Sequence, residues 1–376
     1  MKVWIINPFD NLPDEGYRPQ RYWLMSEAFA RAGHEVTLWT QDWSHAKKRR
    51  RAVRSGCDAP SFVVKGVHVP GYSRNICLRR IWSHWRFAEN WQSAALRESR
   101  PDLIVVSSPP LFIGRAVRRF CSRRGVKYII DVMDAWPETF ERVLPRWTLG
   151  WARGIVRRNY CDATAVTAVA QRYVDLAKGY GAKCPMRLFY HGISLAPWQS
   201  IHDAAHVPSS PLRIAYIGNM SLSYDLATAI EAVKQDDGLA LDLAGSGPDE
   251  AFLREKAAGC DRIRFHGYLG DVALRALLSS SDVGLVPMFD ESCVGVPYKL
   301  ADYVAAGLPV ASSLHGETES LLLKYSAGVA YAAGDADALR RAVRCALEKR
   351  CGVAALCSLF DASALYKGYV EFAAAL

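Results

Sequence analysis

Lys299 and Asp302 stand three residues apart in the segment Gly295-Val296-Pro297-Tyr298-Lys299-Leu300-Ala301-Asp302-Tyr303-Val304-Ala305-Ala306-Gly307. On a helix this spacing puts both on one face. An ammonium for phosphate and a carboxylate for a vicinal diol can hold a nucleotide diphosphate by both ends. An exposed salt bridge is the plainer alternative for the same pair. Three turns upstream share a second pattern, an apolar run that ends in glycine and small polar residues ahead of a helix. They are Ile217-Gly218-Asn219, Ala244-Gly245-Ser246-Gly247 and His266-Gly267-Tyr268. Close backbone approach at a helix N-terminus suits phosphate, and three such turns predict a nucleotide-binding domain.

The first half offers two further candidates. The loop Asn7–Arg18 is long and polar, and Gly16 and Arg18 stand just before a helix, where backbone N–H groups and a guanidinium can meet an anion. Its lack of Gly-x-Gly-x-x-Gly argues against a dehydrogenase. Asp134, in Met133-Asp134-Ala135-Trp136-Pro137-Glu138, follows an apolar run and presents a carboxylate beside an aromatic ring, either as a functional group or as a helix cap. Asp335-Ala336-Asp337 reads as a capping pair rather than a metal motif. The basic run Lys47–Arg51, with Trp43, Trp82 and Trp85, suits an anionic membrane surface or a phosphorylated lipid better than nucleic acid.

The elements that must position these residues alternate between short apolar runs and helix-length amphipathic segments, the signature of an α/β chain with parallel sheets. Strands are expected at 2–7, 35–40, 61–69, 103–107, 128–132, 163–167 and 187–190, with helices at 20–32, 81–99, 111–124 and 170–180. In the second half strands are expected at 212–217, 240–244, 263–265, 283–287, 310–312 and 328–331, with helices at 226–234, 250–258, 272–280, 298–306 and 336–349. The helix pattern at 362–375 has no strand after it and is expected as an added surface element. Each half thus forms a doubly wound sheet, giving a first domain over 1–195, a linker over 196–211, a second domain over 212–360 and a closing helix over 361–376.

The 376 residues divide sharply in charge: residues 1–200 hold 32 Lys+Arg against 16 Asp+Glu and all 11 Trp, whereas residues 201–376 hold 15 against 22. Half of the residues are apolar and 23% charged, an ordinary globular composition. No apolar run is long enough to span a bilayer, and Met1–Pro8 reads as a first strand rather than a signal peptide, so a cytoplasmic protein is expected. The 10 Cys show no metal spacing and are expected as free thiols.

Together the motifs resemble retaining glycosyltransferases of family 4, with the GT-B fold of two facing Rossmann-like domains, in the branch that builds bacterial O-antigen, capsule and exopolysaccharide. The residues that carry the likeness are Glu15-Gly16-Tyr17-Arg18-Pro19, Trp43-Ser44-His45, Ser107-Ser108-Pro109-Pro110, Asp134-Ala135-Trp136-Pro137-Glu138 and the Pro297–Gly307 segment. The resemblance implies a nucleotide diphosphate sugar donor on the second domain, with UDP-sugar the expectation, and an acceptor on the first, lipid-linked or saccharide. It also implies chemistry in the cleft between the domains, no required metal and no cofactor.

On that likeness the catalytic candidates are Asp134, Lys299 and Arg18. The donor residues are Gly16, Gly218, Asn219, Gly245, Gly247, His266, Tyr268, Val294, Pro297 and Asp302, and Trp43, His45 and Trp136 face the acceptor. Two departures stand out. The donor motif's first Glu is Val294 here, and Asn219–Asp225 has no cation. A non-catalytic nucleotide-sugar-binding module is the competing expectation.

Overall fold

The computed structural model describes residues 1–53, 61–74, 77–142, 144–199, 207–289 and 292–376. They divide into two compact units, residues 1–192 with 363–376, and residues 193–362. Residues 200–206 of the expected linker, and Cys57, lie outside the described residues.

The first unit is built on strands β1 (Lys2–Ile6), β2 (Glu35–Gln41), β5 (Val63–Val67), β6 (Leu103–Ser108), β7 (Lys127–Val132), β8 (Ala165–Ala168) and β9 (Met186–Leu188). A two-stranded antiparallel ribbon, β3 (Trp43–Ser44) and β4 (Arg49–Arg50), stands apart from them. The main sheet runs β5-β2-β1-β6-β7-β8-β9 and is parallel throughout. Its central strands read as unbroken apolar runs because helices cover both faces. Helices α1 (Arg21–Arg31), α2 (Leu78–Ala95), α3 (Leu111–Arg124), α4 (Gly150–Cys161) and α5 (Gln171–Gly179) supply the crossovers. α2 packs on α3 and α3 on α4, and together they close a core of Trp4, Trp91, Phe120 and Tyr160. The strand order reverses between β1 and β6, so the loops after these strands flank the switch point where ligands bind in such sheets.

The second unit repeats the plan with β10 (Leu212–Ile217), β11 (Leu239–Ala244), β12 (Ile263–Gly267), β13 (Val283–Val286), β14 (Val310–Ser312) and β15 (Gly328–Ala330), ordered β12-β11-β10-β13-β14-β15. Its helices are α6 (Leu226–Lys234), α7 (Glu250–Ala257), α8 (Asp271–Ser279), α9 (Tyr298–Ala305), α10 (Glu317–Tyr325), α11 (Ala336–Leu347) and α12 (Val353–Cys357). Here the order reverses between β10 and β13. The Gly218 turn therefore lies at the switch point, as does the segment that leads from β13 to α9.

The strands of the two main sheets fall within a few residues of their expected positions, but the β3–β4 ribbon and helices α4, α10 and α12 were not expected. The closing helix α13 (Ala362–Ala374) also departs from expectation. It is not a surface addition; it buries Tyr366 and Tyr369 in the first unit. The Tyr369 hydroxyl lies 3.0 Å from Thr167 Oγ1, and the Gly192 N–H donates to the Tyr366 hydroxyl at 3.2 Å. Beneath it Arg21 forms a two-pronged ion pair with Asp131, at 2.7 and 2.8 Å, and donates to the carbonyls of Phe189 and Tyr190. No disulfide occurs among the described residues, and among them no helix is long and apolar enough to cross a membrane.

Candidate functional site

In the second unit the three glycine turns form one continuous edge. The Gly218 N–H donates to Ala244 O at 2.9 Å, the Gly245 N–H to Gly267 O at 2.6 Å and the Met220 N–H to Ser246 O at 3.0 Å. Gly218 and Gly245 have φ of 130° and 133°, a region that side chains disfavour. A Cβ on Gly245 would collide with the Gly218 carbonyl, and one on Gly247 with the Met220 carbonyl and the Asn219 side chain. At positions 245 and 247 the turns are therefore stacked too tightly for any other residue.

Lys299, in the first turn of α9, is aimed at this edge. It is 7% exposed, and its ammonium has no hydrogen-bond partner among the described residues. The ammonium lies 4.0 Å from the ring centroids of Tyr216 and Tyr224 and 3.3 Å from where a Cβ on Gly218 would sit. Burial pushes it well below its ordinary pKa. The exposed salt bridge considered for Lys299 and Asp302 is thus not what forms: both are buried, and the ammonium is turned to the rings instead. Pro297 stands at the N-cap of α9, where a fixed φ and an absent N–H cost nothing.

Other donor candidates are placed less simply. His266 Nε2 is 2.6 Å from Asp242 Oδ1, whose carboxylate also takes Arg213, so this ring nitrogen is engaged within the sheet. Tyr268 is exposed and Val294 half-buried. Gly16 and Arg18 belong to the first unit, where Gly16, at φ 84°, ends the short turn Pro13–Glu15. Asp335 caps α11 by accepting from the Ala338 N–H at 2.8 Å, as expected of a capping pair. No group of three His, Cys, Asp or Glu able to hold a metal ion occurs among the described residues.

In the first unit the loops after β1, β2 and β7 bring together His45 and Trp136 with groups that no sequence pattern marked. The His45 ring lies 5.4 Å from Phe9, the His84 ring 5.1 Å from Phe9 and 6.0 Å from Trp136. Trp43 is held farther back, packed against Gly71 and Tyr72. Asp134 lies in the loop after β7. Its Oδ1 accepts from the Ala135 N–H at 2.8 Å and from Thr139 at 3.1 Å, while Oδ2 accepts from Trp136 Nε1 at 3.0 Å. These bonds hold the carboxylate within its own loop and orient the Trp136 ring. Burial raises the carboxyl's pKa against these hydrogen bonds.

The basic run is divided by burial: Lys47, Arg49 and Arg50 are exposed, Lys48 is half-buried and Arg51 is buried. Arg51 is buried, donating to Gln41 O, Asp10 O and Thr40 and pairing with Glu15 at 3.1 Å. Arg50 pairs with Asp42, and Lys47 donates to the Glu15 carbonyl. Arg51 thus holds its own loops together, while Lys47, Arg49 and Arg50 keep exposed charge. The exposed apolar side chains lie instead on α2 and around the start of α4: Leu78, Ile81, Trp82, Trp85, Trp147 and Trp151.

Two doubly wound parallel sheets with ligand-facing loops at their switch points are the architecture of GT-B glycosyltransferases. Each half of this chain matches a glycosyltransferase family model: residues 21–196 match the family described as Glycosyltransferase Family 4, and residues 211–349 match Glycosyl transferases group 1. The amylovoran biosynthesis glycosyltransferase AmsK of Erwinia amylovora is 31% identical over 149 residues, 37% of this chain and 36% of that protein. The chain spans about a third of the length of the first curated relatives it matches. Sucrose-phosphate synthase from Thermosynechococcus elongatus shares the fold with a TM-score of 0.77 at 16% identity, over 100% of both chains. Anabaena HepE, solved with UDP-glucose, does so with a TM-score of 0.69 at 13% identity, again over 100% of both.

Proposed function

We propose that this protein is a retaining, metal-independent glycosyltransferase that moves a sugar from a nucleotide diphosphate sugar to a lipid-linked or saccharide acceptor in cell-surface polysaccharide synthesis. The observation that carries the reading is the buried Lys299 ammonium, which is aimed at a glycine edge shaped for close backbone approach. A buried cation without a hydrogen-bond partner is costly, and a diphosphate would offset that cost. Asp302, on the same helix, is the candidate for the ribose hydroxyls. The donor reading rests on these second-unit residues. That HepE binds UDP-glucose supports a UDP-sugar.

For retention, the leaving diphosphate itself takes the acceptor proton on the face it vacates. The protein's main contribution is then charge stabilisation of that leaving group by Lys299 and the Gly218 turn. Asp134 contributes by holding Trp136. Peripheral contact with an anionic cytoplasmic leaflet belongs to the same proposal. Its support is that α2, α3 and α4 carry 11 Arg and one acidic residue, with Trp82, Trp85 and Trp151 exposed beside them.

Val294 and the cation-free Asn219–Asp225 stretch favour a second reading, a non-catalytic nucleotide-sugar-binding module. One experiment separates the two. Purified protein is incubated with a panel of nucleotide sugars, with and without a lipid-linked acceptor, in the presence of EDTA. Release of nucleoside diphosphate only when acceptor is present supports the transferase. Binding without release under either condition supports the module.

A further inference from the structure

Arg80, in the first turn of α2, lays its guanidinium against two aromatic rings, 5.6 Å from the centroids of Phe9 and Trp136. Its Nε donates to His84 Nε2 at 3.3 Å. Lys48, on the ribbon between β3 and β4, sits 3.3 Å from His45 Nδ1 and 5.1 Å from the Tyr72 ring centroid. The Tyr72 hydroxyl is 2.7 Å from that same His45 nitrogen. Arg80 and two imidazoles thus converge on the ring of Phe9, which follows β1 at the switch point of the sheet, with Lys48 beside one of those imidazoles.

The histidines add no charge. Burial, with the field of Arg80 and Lys48, brings His45 down to about 3, and burial with the field of Arg80 does the same for His84. His45 Nδ1, facing the ammonium of Lys48 and the hydroxyl of Tyr72, acts as an acceptor, and His84 Nε2 accepts from Arg80. Each ring therefore keeps its other N–H as a donor. The positive charges are crowded as well: burial and the neighbouring Arg80 bring Lys48 down to about 8. The carboxylate that faces Arg80 is Asp134, whose two oxygens already take Ala135, Trp136 and Thr139. A guanidinium held over two rings by His84 and Tyr72, a nearby ammonium and neutral N–H donors form a receptor for an oxyanion, to which the guanidinium adds a charge-assisted N–H.

We propose that Arg80, Lys48, His45 and His84 form an anion subsite that takes a phosphate or carboxylate carried by the acceptor, rather than a neutral sugar. That the anion belongs to an acceptor rests on the transferase reading; the subsite itself does not. The test uses the full chain saturated with UDP, so that any nucleotide site is filled. Inorganic pyrophosphate is then titrated while the histidine ring signals are followed by NMR, with His45→Gln and His84→Gln as assignments. Glucuronate is titrated in parallel.

Movement of both ring signals with either anion, weakened about tenfold or more in Lys48→Met, supports the subsite. Pyrophosphate alone identifies phosphate as the source, and glucuronate alone identifies an acidic sugar. No movement of either signal with either anion overturns the proposal, as does unchanged affinity in Lys48→Met. Lys48 lies on a surface ribbon, so this variant carries the test even if Arg80→Met fails to fold. Because the readout involves no turnover, a protein that binds pyrophosphate here yet transfers no sugar would sink the transferase reading and leave the subsite standing.

Discussion

The Lys299 ammonium stands 3.3 Å from the point where a side chain on Gly218 would begin, so the two positions constrain each other across the switch point of the second sheet. Anything larger than hydrogen at residue 218 crowds the cation, and the φ of 130° strains the backbone as well. Gly218→Ala is therefore expected to weaken UDP binding in a calorimetric titration. Undiminished affinity would contradict the assignment of this edge to the donor.

Lys299→Met should separate function from stability. Removing the cation is expected to lower kcat/KM about ten- to a thousandfold, while the melting temperature rises because a buried ammonium without a hydrogen-bond partner is relieved. Burial holds the folded-state pKa below the unfolded one, so the wild type loses stability relative to the variant as pH falls through that window. UDP binding to the wild type should also take up protons, seen as a buffer-dependent binding enthalpy. Unchanged kcat/KM, or a variant less stable than the wild type, would count against this account.

Asp302 and Asp134 should divide the kinetic parameters between them. Ribose binding is alike in ground and transition states, so Asp302→Ala is expected to raise the donor KM. Asp134→Ala frees Trp136 and removes the carboxylate's hydrogen bonds to Ala135, Trp136 and Thr139, so it should lower kcat and cost about 1–3 kcal/mol of stability. Steady-state kinetics and denaturant melts read both, and the reverse partition would exchange the roles.

The Arg21–Asp131 pair predicts acid sensitivity of the first unit. Burial alone would raise the Asp131 carboxyl, but the Arg21 charge and hydrogen bonds from Arg21, Thr167 and Tyr22 hold it below the usual range. Its contribution is therefore present above the unfolded carboxyl pKa of about 4 and is lost as pH falls below it. Asp131→Asn should cost about 3–5 kcal/mol at pH 7, and the gap to the wild type should narrow toward pH 3. A pH-independent difference would show that the charge is not what matters.

Vesicle co-sedimentation tests the membrane contact. Binding to anionic vesicles at low salt is expected to weaken when Trp82, Trp85, Trp147 and Trp151 become Ser, and to respond little to Arg51→Gln, whose guanidinium is buried within its own loops. Equal binding by the quadruple variant would remove this surface from the proposal.

Much of the architecture was legible in the chain because parallel strands covered on both faces must be apolar along their whole length. Lys2–Ile6, Leu103–Ser108 and Leu212–Ile217 announce themselves in this way. The glycine turns were legible for a related reason: a chain leaving a strand at positive φ toward a helix needs glycine, and the need is local. Helix α4 escaped notice because Gly150 and Gly154 dilute its pattern, and α10 because a mere nine residues follow a glycine at φ 81°. What local pattern cannot contain is partnership across the fold. Arg21 meets Asp131 across 110 residues, and Tyr369 meets Thr167 across 202, which turns an expected surface helix into part of the first core. Lys299 and Asp302 share a helix and look like a salt bridge in one dimension; packing against Tyr216 and Tyr224 sends the ammonium elsewhere. Lys48, marked in sequence only as part of a basic run, and Arg80, some thirty residues further on, become one cationic cluster because the loops after β1 and β2 meet the start of α2. Spacing along a chain determines which residues lie on one face of one element, but only the stacking of elements determines which charges are buried together, and that burial sets their chemistry.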